Sequence, residues 1–275
     1  MWQITIDFGK KLFHRITDDD IFGLGAQLAY FLLLSLFPFL LFLMTLLGYV
    51  PIDSQNVTEF IQRYAPGEIS QLINENISEL VNNQNGSLLS VGVIGTLWAA
   101  SNGVNAIMKG FNRSYEVGED RSFIVMRLIA IVLTIAMVLV ICMAFLLPVF
   151  GKMIGEYIFA FFGLSESFLN VWDTLRWIVS SAVIFIVLLA LYKMAPNKRI
   201  YFKNVVWGAL FATIGWQLVS LAFSFYVNSM GNYSATYGSL GTVIVLMIWF
   251  YLTGVIIMIG GTINAICKDK ANSDY

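Results

Sequence analysis

An all-α membrane protein with six transmembrane helices is the fold class this sequence predicts, and three observations predict it. Residues 21–48 hold no charged side chain. A helix of about 28 residues, rising about 1.5 Å per residue, exceeds a hydrocarbon core of ~30 Å. The composition is 58% hydrophobic and 12% charged, with mean hydropathy +0.77, whereas soluble domains carry about 25% charged residues. Lysine and arginine divide unevenly between the connections. Lys10, Lys11, Arg15, Lys109, Arg113, Arg121, Arg127, Lys193, Lys198, Arg199, Lys203, Lys268 and Lys270 fall on one side, Arg63 and Lys152 on the other, and Arg176 at a helix end. By the positive-inside rule this bias gives six spans with both termini cytoplasmic.

The chain opens with an interfacial amphipathic segment, residues 1–20. Ile4, Phe8, Leu12 and Ile16 recur every four residues among Lys10, Lys11 and Arg15, a pattern that suits either a helix lying in the headgroup layer or one packed before the first span. It lacks the continuous apolar core and cleavage site of a secretory signal. Asp18, Asp19 and Asp20 offer caps to the helix that follows; a cation site is the other reading of an acidic triplet. Residues 21–275 read as a single membrane domain. Pro38 lies inside its first span, removes one backbone donor and predicts a kink.

A hydrophilic insert at 49–87 follows, with Asp53, Glu59, Glu68, Glu75 and Glu79 against Arg63. Two helical patterns broken at Pro66-Gly67 predict a helical extracytoplasmic cap. The second span, about 88–111, repeats Gly95, Ala99 and Gly103, a small-residue seam for close helix approach. Beside it runs a polar stripe of Trp98, Asn102, Asn105, Lys109 and Asn112. The third span, about 123–149, is apolar apart from Arg127 and Pro148. A short amphipathic piece leads to the fourth, about 171–192, which opens on the interfacial set Trp172, Asp173, Arg176 and Trp177. The acid-free loop 193–203 precedes a fifth span, about 205–227, whose Thr213, Gln217, Ser220, Ser224 and Asn228 share one sector. An uncharged connector, 228–241, offers Gly238 and Gly241 as hinges. The sixth span, about 242–267, carries Thr242, Trp249, Thr253, Gly260 and Asn264 on one face.

Three stretches carry a family resemblance: Ala29-Tyr-Phe-Leu-Leu-Leu-Ser-Leu-Phe-Pro38; Asn112-Arg-Ser-Tyr115 with Arg121 and Arg127; and Tyr237-Gly-Ser-Leu-Gly241 with Trp249. In this order, and over essentially the whole chain, they resemble the YihY/BrkB family of bacterial inner-membrane proteins. The resemblance implies a six-helix protein of the cytoplasmic membrane, in a family linked to serum resistance and envelope integrity and proposed to transport. It supplies no agreed catalytic residues.

The family's older label, ribonuclease BN, fits the residues poorly. A metal-dependent nuclease needs clustered His, Asp or Glu, and His14 is the single histidine. No basic groove interleaved with aromatics suggests nucleic acid as a partner. Cys142 and Cys267 lie in or at the end of apolar runs and read as small hydrophobes. No Ser-His pair or paired intramembrane acid points to an enzyme, and no cofactor or metal is expected. Polar residues within spans belong to protein contacts or wet cavities. Gln27, Asn102, Asn105, Lys109, Asn112, Gln217, Ser220, Ser224, Asn228, Thr253 and Asn264 therefore form a candidate polar path, or else hydrogen-bond from helix to helix. Arg113, Arg121 and Arg127 are candidate contacts for an anionic headgroup. The expected function is transport of a lipid-like envelope component or an ion. The alternative is a non-transporting envelope scaffold binding a protein partner through its acidic cap. Membrane lipids are partners in either case.

Overall fold

The computed structural model describes residues 2–47, 86–139, 166–229 and 239–273. Among the described residues there is no strand. The helices are α1 (Trp2–Asp18), α2 (Ile21–Leu47), α3 (Gly86–Ser114), α4 (Phe123–Leu139), α5 (Glu166–Met194), α6 (Val206–Ser229) and α7 (Ser239–Ser273). A 3-10 turn, Phe202–Asn204, precedes α6. Of these, α2, α3, α5, α6 and α7 are each long and apolar enough to cross a membrane. Helix α4 is apolar but shorter, and ends where the described residues end. The all-helical, multi-pass architecture expected from composition is the one observed. The expected cap over 49–87, apart from its last two residues at the start of α3, lies outside the described residues, as do the amphipathic piece near 150–161 and Gly238.

Close packing divides the chain into two compact units, residues 32–100 and the remainder. Within residues 32–100, α3 meets α2 through glycines. A Cβ at Gly92 would lie 2.8 Å from the backbone nitrogen of Phe42, and one at Gly95 would lie 3.1 Å from Pro38 Cβ. Pro38 sits inside a helix that continues from Ile21 to Leu47. Hydroxyls along these helices bond back to their own turns: Ser35 to the Leu32 carbonyl at 2.7 Å, Thr45 to Leu41 at 2.8 Å, Thr96 to Gly92 at 2.6 Å. In lipid no water is present to satisfy them, so the helix must.

In the larger unit the small-residue seam continues, with Gly103 against Leu28 and Gly110 between Leu24 and Met258. Phe111 packs on Gly261 and on the Tyr192 ring, whose centroid is 5.2 Å away. Tyr192 is 1% exposed and its hydroxyl donates to the Ile257 carbonyl at 2.9 Å. Helix α7 packs most extensively on α6, and α6 on α5. The α6–α7 crossing is the tightest. A Cβ at Gly208 would collide with the carbonyl oxygen of Gly260 and with the Asn264 amide. Asn264, fully buried, accepts a 2.6 Å bond from the Gly208 N–H. That N–H lies in the first turn of α6, where no helical carbonyl is available to it. One helix thus caps another.

Helix α1 also packs on α7. Phe8, Leu12 and Ile16 are half-buried while Lys10, Lys11, Phe13 and His14 are exposed. Asp20, at φ 53°, makes the left-handed turn from α1 into α2, and its carbonyl receives the Leu24 N–H at 3.0 Å.

The two extremes of glycine environment give a paired test. Gly208→Ala is expected to destabilise by about 1–3 kcal/mol through overpacking. Gly9 lies inside α1 with nothing within 4 Å of its Cβ position, so Gly9→Ala is expected to stabilise by about 0.5–1 kcal/mol. Thermal unfolding of both variants in detergent checks the opposite signs.

Candidate functional site

Polar chemistry concentrates where the basic ends of the helices meet. Asn112, 6% exposed near the end of α3, donates through its amide to Glu119 Oε2 at 2.8 Å and accepts the Asn197 N–H at 2.7 Å. Glu119 receives two further bonds from Arg121, Nε to Oε1 and Nη2 to Oε2, both 2.6 Å. This bidentate geometry is the strong form of a carboxylate–guanidinium pair. The Arg121 guanidinium also reaches the carbonyls of Ala195 and Met194 at 3.0 and 3.4 Å, and the Asn197 side chain donates to the Gly118 carbonyl at 2.9 Å. The loop after α3 and the turn after α5 are tied in one knot.

A second tie holds α1. Arg15 donates to the Ser114 carbonyl at 2.6 Å and to Glu116 Oε1 at 3.0 Å. Ser114 Oγ donates to the buried Asp19 at 2.7 Å and lies 3.2 Å from the Thr262 hydroxyl of α7. Glu116 stands at φ 53°, turning the chain sharply off α3. Lys268 stacks over the Tyr115 ring with 5.6 Å to its centroid. Asp19 is therefore a hydrogen-bond acceptor in a helix junction.

Arg127, one turn into α4, does something different. Its Nη1 donates to Asn102 Oδ1 at 2.8 Å. Asn102 stands 12 residues before the end of α3, about 18 Å along the axis, so the half-buried guanidinium meets α3 well before that helix ends. Asn105 and Lys109 follow on the same α3 face at helical spacing. Asn105 Oδ1 is buried with no hydrogen-bond partner among the described residues, and so is Thr253 Oγ1 on α7. A guanidinium presents five donors in a planar fork matched to carboxylate or phosphate oxygens.

Several polar residues of α6 and α7 are spent in bonds to neighbouring helices. Gln217 donates to Ser181 Oγ on α5 at 2.7 Å, and Ser181 in turn bonds the Trp177 carbonyl at 2.8 Å. Trp249 Nε1 donates to Ser220 at 3.3 Å, with the Trp216 ring 6.0 Å from that of Trp249. Thr213 bonds back to Ala209 at 2.7 Å. These residues share a sector of α6 yet face two different neighbours. Of the other residues in the candidate path, Gln27, Lys109 and Ser224 are exposed, Asn264 caps α6, and Asn228 falls in the last turn of α6. Arg113 is exposed; Arg121 is held in the knot. Gly241 is buried in the first turn of α7.

Asn197 and Ser114 carry junctions that the sequence did not single out as sites, and Asp19, expected as a cap or part of a cation site, accepts from Ser114. The available signal was Ala195-Pro196-Asn197, an uncharged turn inside an otherwise basic loop, whose asparagine is suited to bonding backbone. Among the described residues no group of three or more His, Cys, Asp or Glu is arranged to hold a metal.

The family model described as "Virulence factor BrkB" matches residues 12–275. Among curated proteins, this chain is 52% identical to the "ribonuclease-like protein YfkH" of Bacillus subtilis, over 96% of each chain. It is 26% identical to a "UPF0761 membrane protein" of Alteromonas mediterranea, covering 90% of this chain and 82% of that one. A UPF0761 membrane protein of Xanthomonas axonopodis pv. citri is 24% identical over 94% of this chain, which spans 60% of that longer protein. No solved structure matches the chain.

The knot has a pH signature. Hydrogen bonding from Arg121, the largest cause, holds the Glu119 carboxyl below its ordinary value of 4.5; burial opposes this, and the Asn112 amide and the Arg121 charge add to it. A depressed folded-state pKa contributes stability that is fully present above the unfolded value and is lost as pH falls through the folded one. Thermal unfolding midpoints are therefore expected to fall for the native chain as pH drops below about 4.5. Glu119→Gln is expected to start lower at neutral pH and to lose less over that window.

Proposed function

This chain belongs to the Virulence factor BrkB family of membrane proteins, and from that premise we propose that it moves an amphiphile with an anionic headgroup across the bacterial cytoplasmic membrane. A phospholipid or a lipid-linked envelope precursor has the required chemistry. The observation that carries the reading is the Arg127–Asn102 bond, at 2.8 Å and part-buried between the apolar helices α3 and α4. A cation carried on an apolar helix is costly and marks a functional position by default. Its fork suits phosphate oxygens, Asn105 adds an amide on the same α3 face, and Lys109, exposed on that face, supplies a second cation nearer the basic side. On this reading both termini are cytoplasmic, and the headgroup engages Arg127 while its acyl chains stay among the exposed apolar flanks. The ribonuclease-like name belongs to a relative; our reading assigns this chain no enzymatic role.

A second reading has its own support. Gln217–Ser181, Trp249–Ser220 and Asn264–Gly208 are bonds from helix to helix, which suits a static scaffold whose protein partner binds elsewhere, at the expected acidic cap.

Reconstituted liposomes separate the two. With a fluorescent anionic phospholipid in one leaflet, the native chain is expected to accelerate its exchange. Arg127→Ala is expected to reduce the rate about tenfold or more, the scale of losing a charge-assisted recognition contact of 1.5–3 kcal/mol, and Arg127→Lys to reduce it less. Native-rate exchange by a folded Arg127→Ala protein contradicts the assignment. No exchange by the native chain favours the scaffold.

A further inference from the structure

The turn that joins α5 to α6 is built as a rigid basic projection. From Lys193 to Asn204 it holds Lys193, Lys198, Arg199 and Lys203 and no acidic residue. Its inner side chains are rooted: Ala195 is 0% exposed, Ile200 6%, and Val205, just beyond it, 0%. Its backbone is pinned from α3 and the loop after it, by Arg121 on the Ala195 carbonyl and Asn112 on the Asn197 N–H. Its outer side chains alternate with that buried set: Lys198, Arg199 and Lys203 are exposed, Tyr201 is 75% exposed and Phe202 54%. Lys193 Nζ stands 3.2 Å above the Phe202 ring centroid, a cation–π geometry that fixes both groups. Trp207, 61% exposed, continues the aromatic edge into α6.

We infer that this turn is a binding surface for the headgroups of anionic phospholipids in the adjacent leaflet. Three arguments select that partner. The surface carries cations only, so its complement is an anion. It lies at the ends of two membrane-length helices, the depth at which headgroups sit, and aromatic side chains with one polar end belong at that depth. Anchoring from α3 removes most of the ordering cost that a flexible loop would incur on binding. Static headgroup binding here does not depend on the exchange reaction proposed for Arg127, and the two fail separately.

The test counts retained lipid. The full chain is equilibrated in mixed micelles of equal phosphatidylglycerol and phosphatidylcholine, and the lipids held per protein are counted by native mass spectrometry. The native chain is expected to enrich phosphatidylglycerol, and the combined Lys198→Gln, Arg199→Gln and Lys203→Gln protein to return towards the mixture ratio. Each cation removed is expected to weaken retention roughly fivefold. Lys198→Arg with Lys203→Arg keeps the charges and is expected to keep the enrichment. Should the triple variant fail to fold, raising salt on the native chain to about 0.5 M is expected to lower phosphatidylglycerol retention selectively, because exposed charges are screened. No enrichment by the native chain, or enrichment unaffected by the glutamines or by salt, overturns the inference.

Discussion

A polar group carried on an apolar helix gains from a partner inside the protein, because the hydrocarbon core supplies none, and among the described residues most find one, with Asn105 Oδ1 and Thr253 Oγ1 as exceptions. That constraint explains the side-chain geometry of the described residues more fully than hydrophobic burial does. Hydroxyls of Ser35, Thr45, Thr96 and Thr213 turn back on their own helices. Amides reach further: Gln217 crosses to α5, and Asn264 crosses to the open first turn of α6. Glycine at Gly208 and Gly260 lets backbones come near enough for Asn264 to do so. Packing and polar satisfaction are one arrangement here, since apolar side chains gain little from leaving lipid for one another.

At the basic end of the helices the solution changes from single bonds to a network. Asn112, Glu119, Arg121 and the 195–197 backbone bind one another, and Arg15, Ser114, Asp19 and Thr262 form a second set a few residues away. The networks hold α1, α3, α5 and α7 in register at one end. Rigid placement there gives the basic turn a fixed outline and sets the start of α4, from which Arg127 reaches Asn102. A junction held by charge-assisted bonds and a guanidinium bonded to an amide between apolar helices are different kinds of polar feature. The first is accounted for by structure; the second is the feature on which a function can be argued.

Much of the fold was legible in the sequence for simple physical reasons. Charge-free runs of membrane length mark helices, and α2, α3, α5, α6 and α7 appear where those runs stand. The glycine seam at Gly95, Ala99 and Gly103 was visible from its four-residue spacing, and its extension to Gly92 and Gly110 was not, because those two depart from the strict repeat. The polar stripes were harder to interpret. A helical wheel gives a direction but no neighbour, so Gln217 and Ser220 look like one face and yet serve two helices. Arg121 and Arg127 look alike in sequence, six residues apart; their surroundings separate them, one facing Glu119 and backbone carbonyls, the other an amide of α3. The 193–203 loop read as ordinary topology signal because its anchoring through Asn112 and Arg121 depends on contacts over 70 residues away in sequence.

The central claim is that Arg127 meets an anionic headgroup between α3 and α4, and photo-crosslinking addresses it most directly. The full chain would be reconstituted with a phospholipid bearing a photoactivatable group beside its phosphate, irradiated, and the adducts mapped by peptide mass spectrometry. Adducts on α3 around Asn102 and Asn105 and on α4 near Arg127, lost in Arg127→Ala, are the predicted result. Adducts confined to α1 and the 193–203 turn, unchanged by that substitution, would contradict it.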